Sequence, residues 1–180
     1  MHGNAGIGKS PVDSKEEMNE HTTVKPELVV GIDGSTEALG ALREGLRLAK
    51  ALGYRVRVIC AWSWPVGQGF VPGPPIQWNP ESDAIESIKS AMSLVAVPEG
   101  VEVITEIAYG DAADILIEAS RRAELLVTGS TGAGMARALF LGSVSTRVAQ
   151  RAACPVLVWR PTPLAIAGTE VRSEGALVTA

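Results

Sequence analysis

From residue 27 onward, apolar positions along the chain fall into two alternating patterns. Short apolar runs are followed by stretches in which apolar residues recur every three or four positions. The first pattern reads as strand and the second as a helix packed along one face. Residues 27–32, Glu-Leu-Val-Val-Gly-Ile, predict a short buried strand. Ser35 then caps a helix reaching about Gly53, with Leu39, Leu42, Leu46 and Ala49 along one side. Residues 55–61 alternate into a second strand. A helix over about 81–95 gathers Ile85, Ile88, Met92 and Val95, and 101–108 predict a third strand. Asp111, after Gly110, caps a helix ending near Arg122. Residues 124–128 form a fourth strand, 143–152 a helix and 155–159 a fifth strand.

Five apolar strands separated by helices predict an α/β fold. The expected architecture is an open five-stranded parallel sheet, Rossmann-like, because right-handed crossovers lay helices on both faces. In such sheets ligands sit beyond the carboxyl ends of the strands, where the winding direction reverses. Strands one and four are expected to flank that point.

The flanking segments break the pattern. Residues 1–26 are rich in Gly, Ser, Glu and Lys without an apolar period and are expected to form a disordered arm. Residues 161–180 read as a tail or an added edge strand. Between the second strand and the next helix, 62–80 predict a long loop. It carries Pro65, Pro72, Pro74, Pro75 and Pro80 together with Trp62, Trp64, Phe70 and Trp78. This loop suits a plug over the core, a lid over a ligand or a contact surface.

Composition narrows the function. A chain of 180 residues with 46% hydrophobic content suits one soluble domain with a full core, and the expected location is the cytoplasm. A net charge of -4 and a pI near 5.3 leave no electrostatic footprint for nucleic acid. No apolar run approaches the roughly 18 residues that suggest a membrane span. Cys60 and Cys154 lie one in each of two predicted strands, without metal-ligand spacing, and are expected to be buried reduced thiols. Both histidines, His2 and His21, lie in the arm. A histidine base, a Ser-His-Asp triad or a His-ligated metal would have to recruit a residue from there.

Two phosphate signatures compete. Gly3-Asn-Ala-Gly-Ile-Gly-Lys-Ser10 matches the P-loop pattern letter for letter, yet a P-loop needs a buried strand before it and a helix after it. Only two residues precede Gly3, and Pro11 with a polar stretch follows, so the match is set aside. The second signature follows the fourth strand. Gly129, Gly132, Gly134 and Gly142 are expected to take positive φ or to let the backbone approach a ligand, and Ser143 and Ser145 fall at a helix start. Unpaired N–H groups there suit phosphate oxygens or side-chain caps alike. A dinucleotide fingerprint fails, because Arg137 stands where Gly or Ala is needed and the turn follows the fourth strand instead of the first. Asp33, in Asp33-Gly34-Ser35, reads either as turn chemistry or as a ligand contact across the crevice.

These residues resemble the universal stress protein family, of the single-domain, nucleotide-binding kind. Its cradle, a glycine, two residues, a glycine, nine residues, then Gly-Ser or Gly-Thr, is met by Gly129, Gly132, Gly142 and Ser143 without a gap. Val30-Gly-Ile-Asp-Gly-Ser35 is similar to the first-strand signature, Gly110-Asp111 to the turn before the third helix, and Ala153-Cys-Pro-Val-Leu-Val158 to the closing strand. The resemblance covers about residues 27–160 and implies a fold of the adenine nucleotide alpha hydrolase-like kind. It also implies an ATP site, with or without Mg²⁺. Gly129, Gly132, Gly134, Gly142, Ser143, Val144 and Ser145 would surround the phosphates, Asp33 would meet the ribose or the metal, and Ala61 and Val127 the adenine. A homodimer pairing through the last strand is implied as well. Thr131 and Ala133 stand where many members carry basic residues, and Met135 replaces a small residue. The expected function is an ATP-responsive regulatory module in stress response acting on a protein partner the sequence does not name. A slow ATP hydrolase or phosphoryl- or adenylyl-transfer enzyme and a nucleotide-free interaction scaffold are the alternatives.

Overall fold

The computed structural model describes residues 25–64, 78–131 and 141–161. The arm at 1–24 with Gly3–Ser10, most of the aromatic loop with Phe70, the segment bearing Gly132, Ala133, Gly134, Met135 and Arg137, and the end of the chain from 162 lie outside the described residues.

The elements run β1 (Glu27–Ile32), α1 (Thr36–Leu52), β2 (Arg55–Trp62), α2 (Pro80–Ser93), β3 (Val103–Tyr109), α3 (Ala112–Ala119), a 3-10 turn (Ser120–Arg122), β4 (Leu125–Gly129), α4 (Ser143–Arg151) and β5 (Val156–Trp159). All strand pairs are parallel, in the order β3-β2-β1-β4-β5. The winding reverses between β1 and β4, as expected from the alternation of strands and helices.

Each helix starts and stops for a local reason. Ser35 accepts the Ala38 N–H at 3.1 Å to begin α1, and Gly53 ends it at φ 73, a backbone angle that glycine takes without strain. Asn79 caps α2 and Pro80 opens it, where a missing N–H costs nothing. Asp111 caps α3 by accepting the Asp114 N–H at 3.0 Å. That helix is shorter than its periodicity predicts. Ser120 bends back, donating to the Ile117 carbonyl at 2.6 Å and accepting the Ala153 N–H at 2.8 Å, and the chain finishes as a 3-10 turn. β3 starts two residues later than expected because Val101 turns onto the Pro98 carbonyl.

Strand alternation divides the core between the two faces of the sheet. Leu28, Val30, Val58, Cys60 and Val127 pack with α1 and α2 through Leu42, Leu46 and Ile88. Val29, Ile59 and Leu126 pack with α3 and α4 through Leu116, Ile117 and Val148. Helices come close where glycine allows it: a Cβ on Gly40 of α1 would lie 2.3 Å from the Trp159 ring of β5. Near the amino end of the sheet the buried Glu27 carboxylate pairs with Arg55 and Arg57, each at 2.9 Å. Cys60 is a buried free thiol; Cys154 lies just before β5 instead of within it and is half-buried.

Candidate functional site

The carboxyl ends of β1, β2 and β4 open into a cleft of about 110 Å³ between α3 and α4, with the first turn of α1 on its rim. Its apolar side is built by Ile32, Ile59, Ala61 and Leu116. Leu116 reaches in because β1 carries glycine at 31, where a Cβ would stand 2.7 Å from the Leu116 Cδ1. The opposite side is polar: Thr128, Gly129, Thr131 and Gly142 to Ser145. Thr131 and Gly142 both line the cleft. The cleft is smaller than the roughly 300–1,000 Å³ of common small-molecule sites.

Of the residues expected at a binding site, Asp33, Ala61, Gly129, Gly142, Ser143, Val144 and Ser145 all line this cleft. Gly132 and Gly134 lie outside the described residues. Val127 is not in the wall. It is fully buried on the α1 side with Leu28 and Val30, and the alternation that turns it inward leaves Thr128 and Gly129 at the cleft. Ile59, Leu116, Ala38 and Ala112 line the cleft without having been expected. They come from neighbouring elements, and only the face assignment of each strand and helix could have pointed to them.

Two expectations about the glycines are corrected. Gly142 has φ -63 and ψ 164, ordinary extended backbone, and Gly129 is not among the described glycines with positive φ. What position 129 requires is room: a Cβ there would sit 3.1 Å from the Ala38 nitrogen and the Glu37 carbonyl carbon of α1. Gly129 is therefore demanded by helix packing as well as by the rim.

The serines of α4 also behave differently from caps. Gly142 is the N-cap and provides no side-chain bond, whereas Ser35, Asn79 and Asp111 cap α1, α2 and α3. Ser145, buried, donates its hydroxyl toward the Ser130 and Gly142 carbonyls, both at 3.0 Å. The Gly142 N–H itself donates to the Ser130 carbonyl at 2.7 Å, and the Ser130 N–H donates to the Trp159 carbonyl at 2.8 Å. The amides of Ser143, Val144 and Ser145 have no acceptor one turn back within the helix, and they lie at the cleft. The partial positive charge of a helix start is thus turned toward an open pocket.

Asp33 follows β1 and accepts the Ser35 N–H on Oδ1 at 3.0 Å, which folds the turn into α1. It is the one carboxylate among the described lining residues. Asp33 and Ala61 also border a second cleft of about 420 Å³ on the α2 side, with Trp62, Trp78 and Asp83. There the rings of Tyr109, Trp62, Trp64 and Trp78 follow one another edge to face, at centroid distances of 4.9, 6.3 and 6.2 Å. The Trp78 indole N–H donates to Asp83 at 2.6 Å. Cys60 forms part of the same wall. Burial, and after it the charge of Asp33, pushes its thiol up to about 11. Among the described residues no group of three His, Cys, Asp or Glu side chains could hold a metal ion, and no helix is long and apolar enough to cross a membrane.

Comparison with known proteins places this geometry. A family model described as the universal stress protein family matches residues 27–160. A curated universal stress protein of Mycobacterium tuberculosis is 35% identical over 134 residues, which cover 74% of this chain and 47% of the relative. The chain spans about half the length of several curated relatives it matches. A universal stress protein of Methanocaldococcus jannaschii is 31% identical over 140 residues, covering 73% of this chain and 79% of its own. Among solved structures, UspA from Lactobacillus plantarum superposes with a TM-score of 0.61 at 20% identity, over 76% of this chain and 98% of that one. A universal stress protein in complex with cAMP gives 0.54 at 22%, over 78% and 100%. The Archaeoglobus fulgidus protein in complex with dAMP gives 0.54 at 23%, over 76% and 98%. At these identities the structural likenesses establish the fold.

Proposed function

The chain belongs to the universal stress protein family, and from that membership we propose that it binds an adenine nucleotide in the cleft and serves as a nucleotide-responsive regulatory module in stress response. The observation that carries this reading is the first turn of α4. It begins at a glycine without a side-chain cap and presents the Ser143 to Ser145 amides to a cleft whose other side is apolar. Phosphate oxygens fit the amides, and a purine fits Ile59, Ala61 and Leu116, where main-chain groups at the end of β2 can read its edge. Fold relatives solved with cAMP and dAMP support an adenine nucleotide as the ligand class.

ATP is the proposed ligand. Asp33 is the carboxylate on hand for a ribose hydroxyl or for Mg²⁺. A magnesium ion commonly needs only one or two protein carboxylates besides the phosphates, so the residues present fit a phosphate-borne ion. When bound, that ion would offset phosphate charge; holding the nucleotide in place falls to the α4 amides and the apolar wall. A single carboxylate among the described lining residues suits holding a nucleotide better than transferring its phosphoryl group, so any turnover is expected to be slow. Self-association through β5, paired on one side to β4, location in the cytoplasm and a protein partner complete the proposal.

The test is to denature freshly purified protein, identify any released nucleotide, and titrate the emptied protein calorimetrically with AMP and with ATP, with and without Mg²⁺. Adenine nucleotide binding that is lost in Gly142→Leu is the expected result. No released nucleotide and no heat of binding in the unmodified protein would overturn the reading.

A further inference from the structure

The two helices that wall the cleft are tied together at both ends. At the end away from the cleft, Ser120, 1% exposed, follows α3 and accepts the Ala153 N–H that follows α4 at 2.8 Å. At the cleft end, Arg147 of α4, one turn beyond Ser143, holds α3. Its Nη1 donates to Asp111 Oδ1 at 2.9 Å and Oδ2 at 3.0 Å, and its Nη2 donates to Asp114 Oδ1 at 2.7 Å. Asp111 is already the cap of α3, so one carboxylate fixes the start of that helix and, through Arg147, the start of the next. Arg151 adds a longer contact to Asp114, at 3.6 Å.

We infer that Arg147 is a positioning residue for the phosphate end of the cleft. The inference rests on the reading that the cleft binds an adenine nucleotide. Arg147 is not among the residues lining the cleft, and its guanidinium is committed to two aspartates, so it acts by orientation. Ala112 and Leu116 on one side and Ser143 to Ser145 on the other face each other across a gap that this fork sets. Hydrogen bonds to an anion are directional and weaken steeply once misaligned, so the angle of the α4 first turn decides how many amides reach one phosphoryl group. Loss of Arg147 releases only the cleft end, because the buried Ser120 bond still holds the other. The bland alternative is a pair of surface ion contacts that steady two helices and nothing more.

The experiment compares AMP with adenosine, which share the base and ribose and differ in the phosphate. Calorimetric titrations of both are run on the unmodified protein and on Arg147→Gln, Arg147→Lys and Arg121→Gln, the last removing an ion contact confined to α3 and its 3-10 turn. Arg147→Gln is expected to weaken AMP binding about two- to fivefold, the scale of a networked surface ion pair, and to leave adenosine binding unchanged. Arg147→Lys should recover part of the loss, and Arg121→Gln should match the unmodified protein. Equal weakening of both ligands, or of neither, overturns the positioning role while the nucleotide reading stands. If the unmodified protein binds neither AMP nor ATP, the nucleotide reading is overturned and the positioning role with it.

Discussion

The Ser130 carbonyl accepts the Gly142 N–H at 2.7 Å, which ties the residue after β4 to the N-cap of α4, itself a residue of the cleft wall. The Ser145 hydroxyl donates to the same carbonyl, so the first turn of α4 is fastened to the end of β4 by main chain and side chain together. Ser145→Ala removes the side-chain bond and leaves the main-chain one. A loss of about 1 kcal/mol is expected, with a fall in Tm of about 2–4 °C for a chain of this size. Nucleotide affinity should fall with it. Thermal melts with and without AMP check this, and an unchanged Tm would mean that the hydroxyl adds nothing.

Gly40→Ala sets two effects against each other. Alanine favours a helix over glycine by about 1 kcal/mol. Here its methyl would fall 2.3 to 2.5 Å from three carbons of the Trp159 ring, and such overpacking costs about 1–3 kcal/mol. The expected net is a destabilisation near 1 kcal/mol, recovered in the double variant Gly40→Ala with Trp159→Leu. Urea melts of the three proteins decide the sign; a more stable single variant would show that the ring moves aside freely.

Glu27→Ala should be the most damaging single change outside the apolar core. Glu27 is 4% exposed between Arg55 and Arg57, and the Nε atoms of both arginines are buried without an acceptor. Removing the carboxylate takes the ion-pair partner from Arg55 and leaves Arg57 the more distant Glu106 carboxylate, at 3.4 Å. Breaking a fully buried pair costs about 3–5 kcal/mol, and because both arginines reach solvent a loss of about 2–3 kcal/mol is expected here, read from the urea midpoint. Glu27→Gln, which keeps an acceptor, should lose less.

The Cys60 thiol gives a pH prediction. Its folded value is raised to about 11 by burial first and by the Asp33 charge second, against an ordinary thiol value of about 8.5. A raised acid favours the neutral folded form. Its contribution is fully present below about pH 8.5 and is lost as the pH rises through about 11. At pH 8 a thiol reagent is expected to modify the half-buried Cys154 first and Cys60 only after denaturation. Mass spectrometry of the labelled chain locates the adduct. Rapid native labelling of Cys60 would contradict the burial.

How much of this was legible in the sequence differs between elements and site. Helix α1 was readable from Ser35 to Gly53, because both caps act within a turn of their own chain. The end of α3 was not: Ser120 bonds to Ala153, a residue far along the chain, and no local pattern announces that partner. At the site, Gly142 to Ser145 were legible because the glycine spacing and the helix start are consecutive in sequence. Val127, expected at the binding site, lies in the core on the α1 side, since a strand of continuous apolar residues does not say which of them face the cleft. Ile59 of β2 escapes notice for the same reason, and Leu116 because it enters the cleft from α3, across the space left by the glycine at 31. The demand for glycine at 129 was read as ligand approach, whereas the Cβ-excluding atoms belong to α1.

The chain has four tryptophans, and three of them, Trp62, Trp64 and Trp78, stack edge to face in a single cluster. Trp159 stands apart on the edge strand β5. Its carbonyl takes the Ser130 N–H, so its main chain is linked through Ser130 to the Gly142 turn, while its indole lies against Gly40 of α1. With the three clustered rings replaced by phenylalanine, emission from Trp159 alone would give an optical readout of how β5 packs on α1 at Gly40, free of any attached dye.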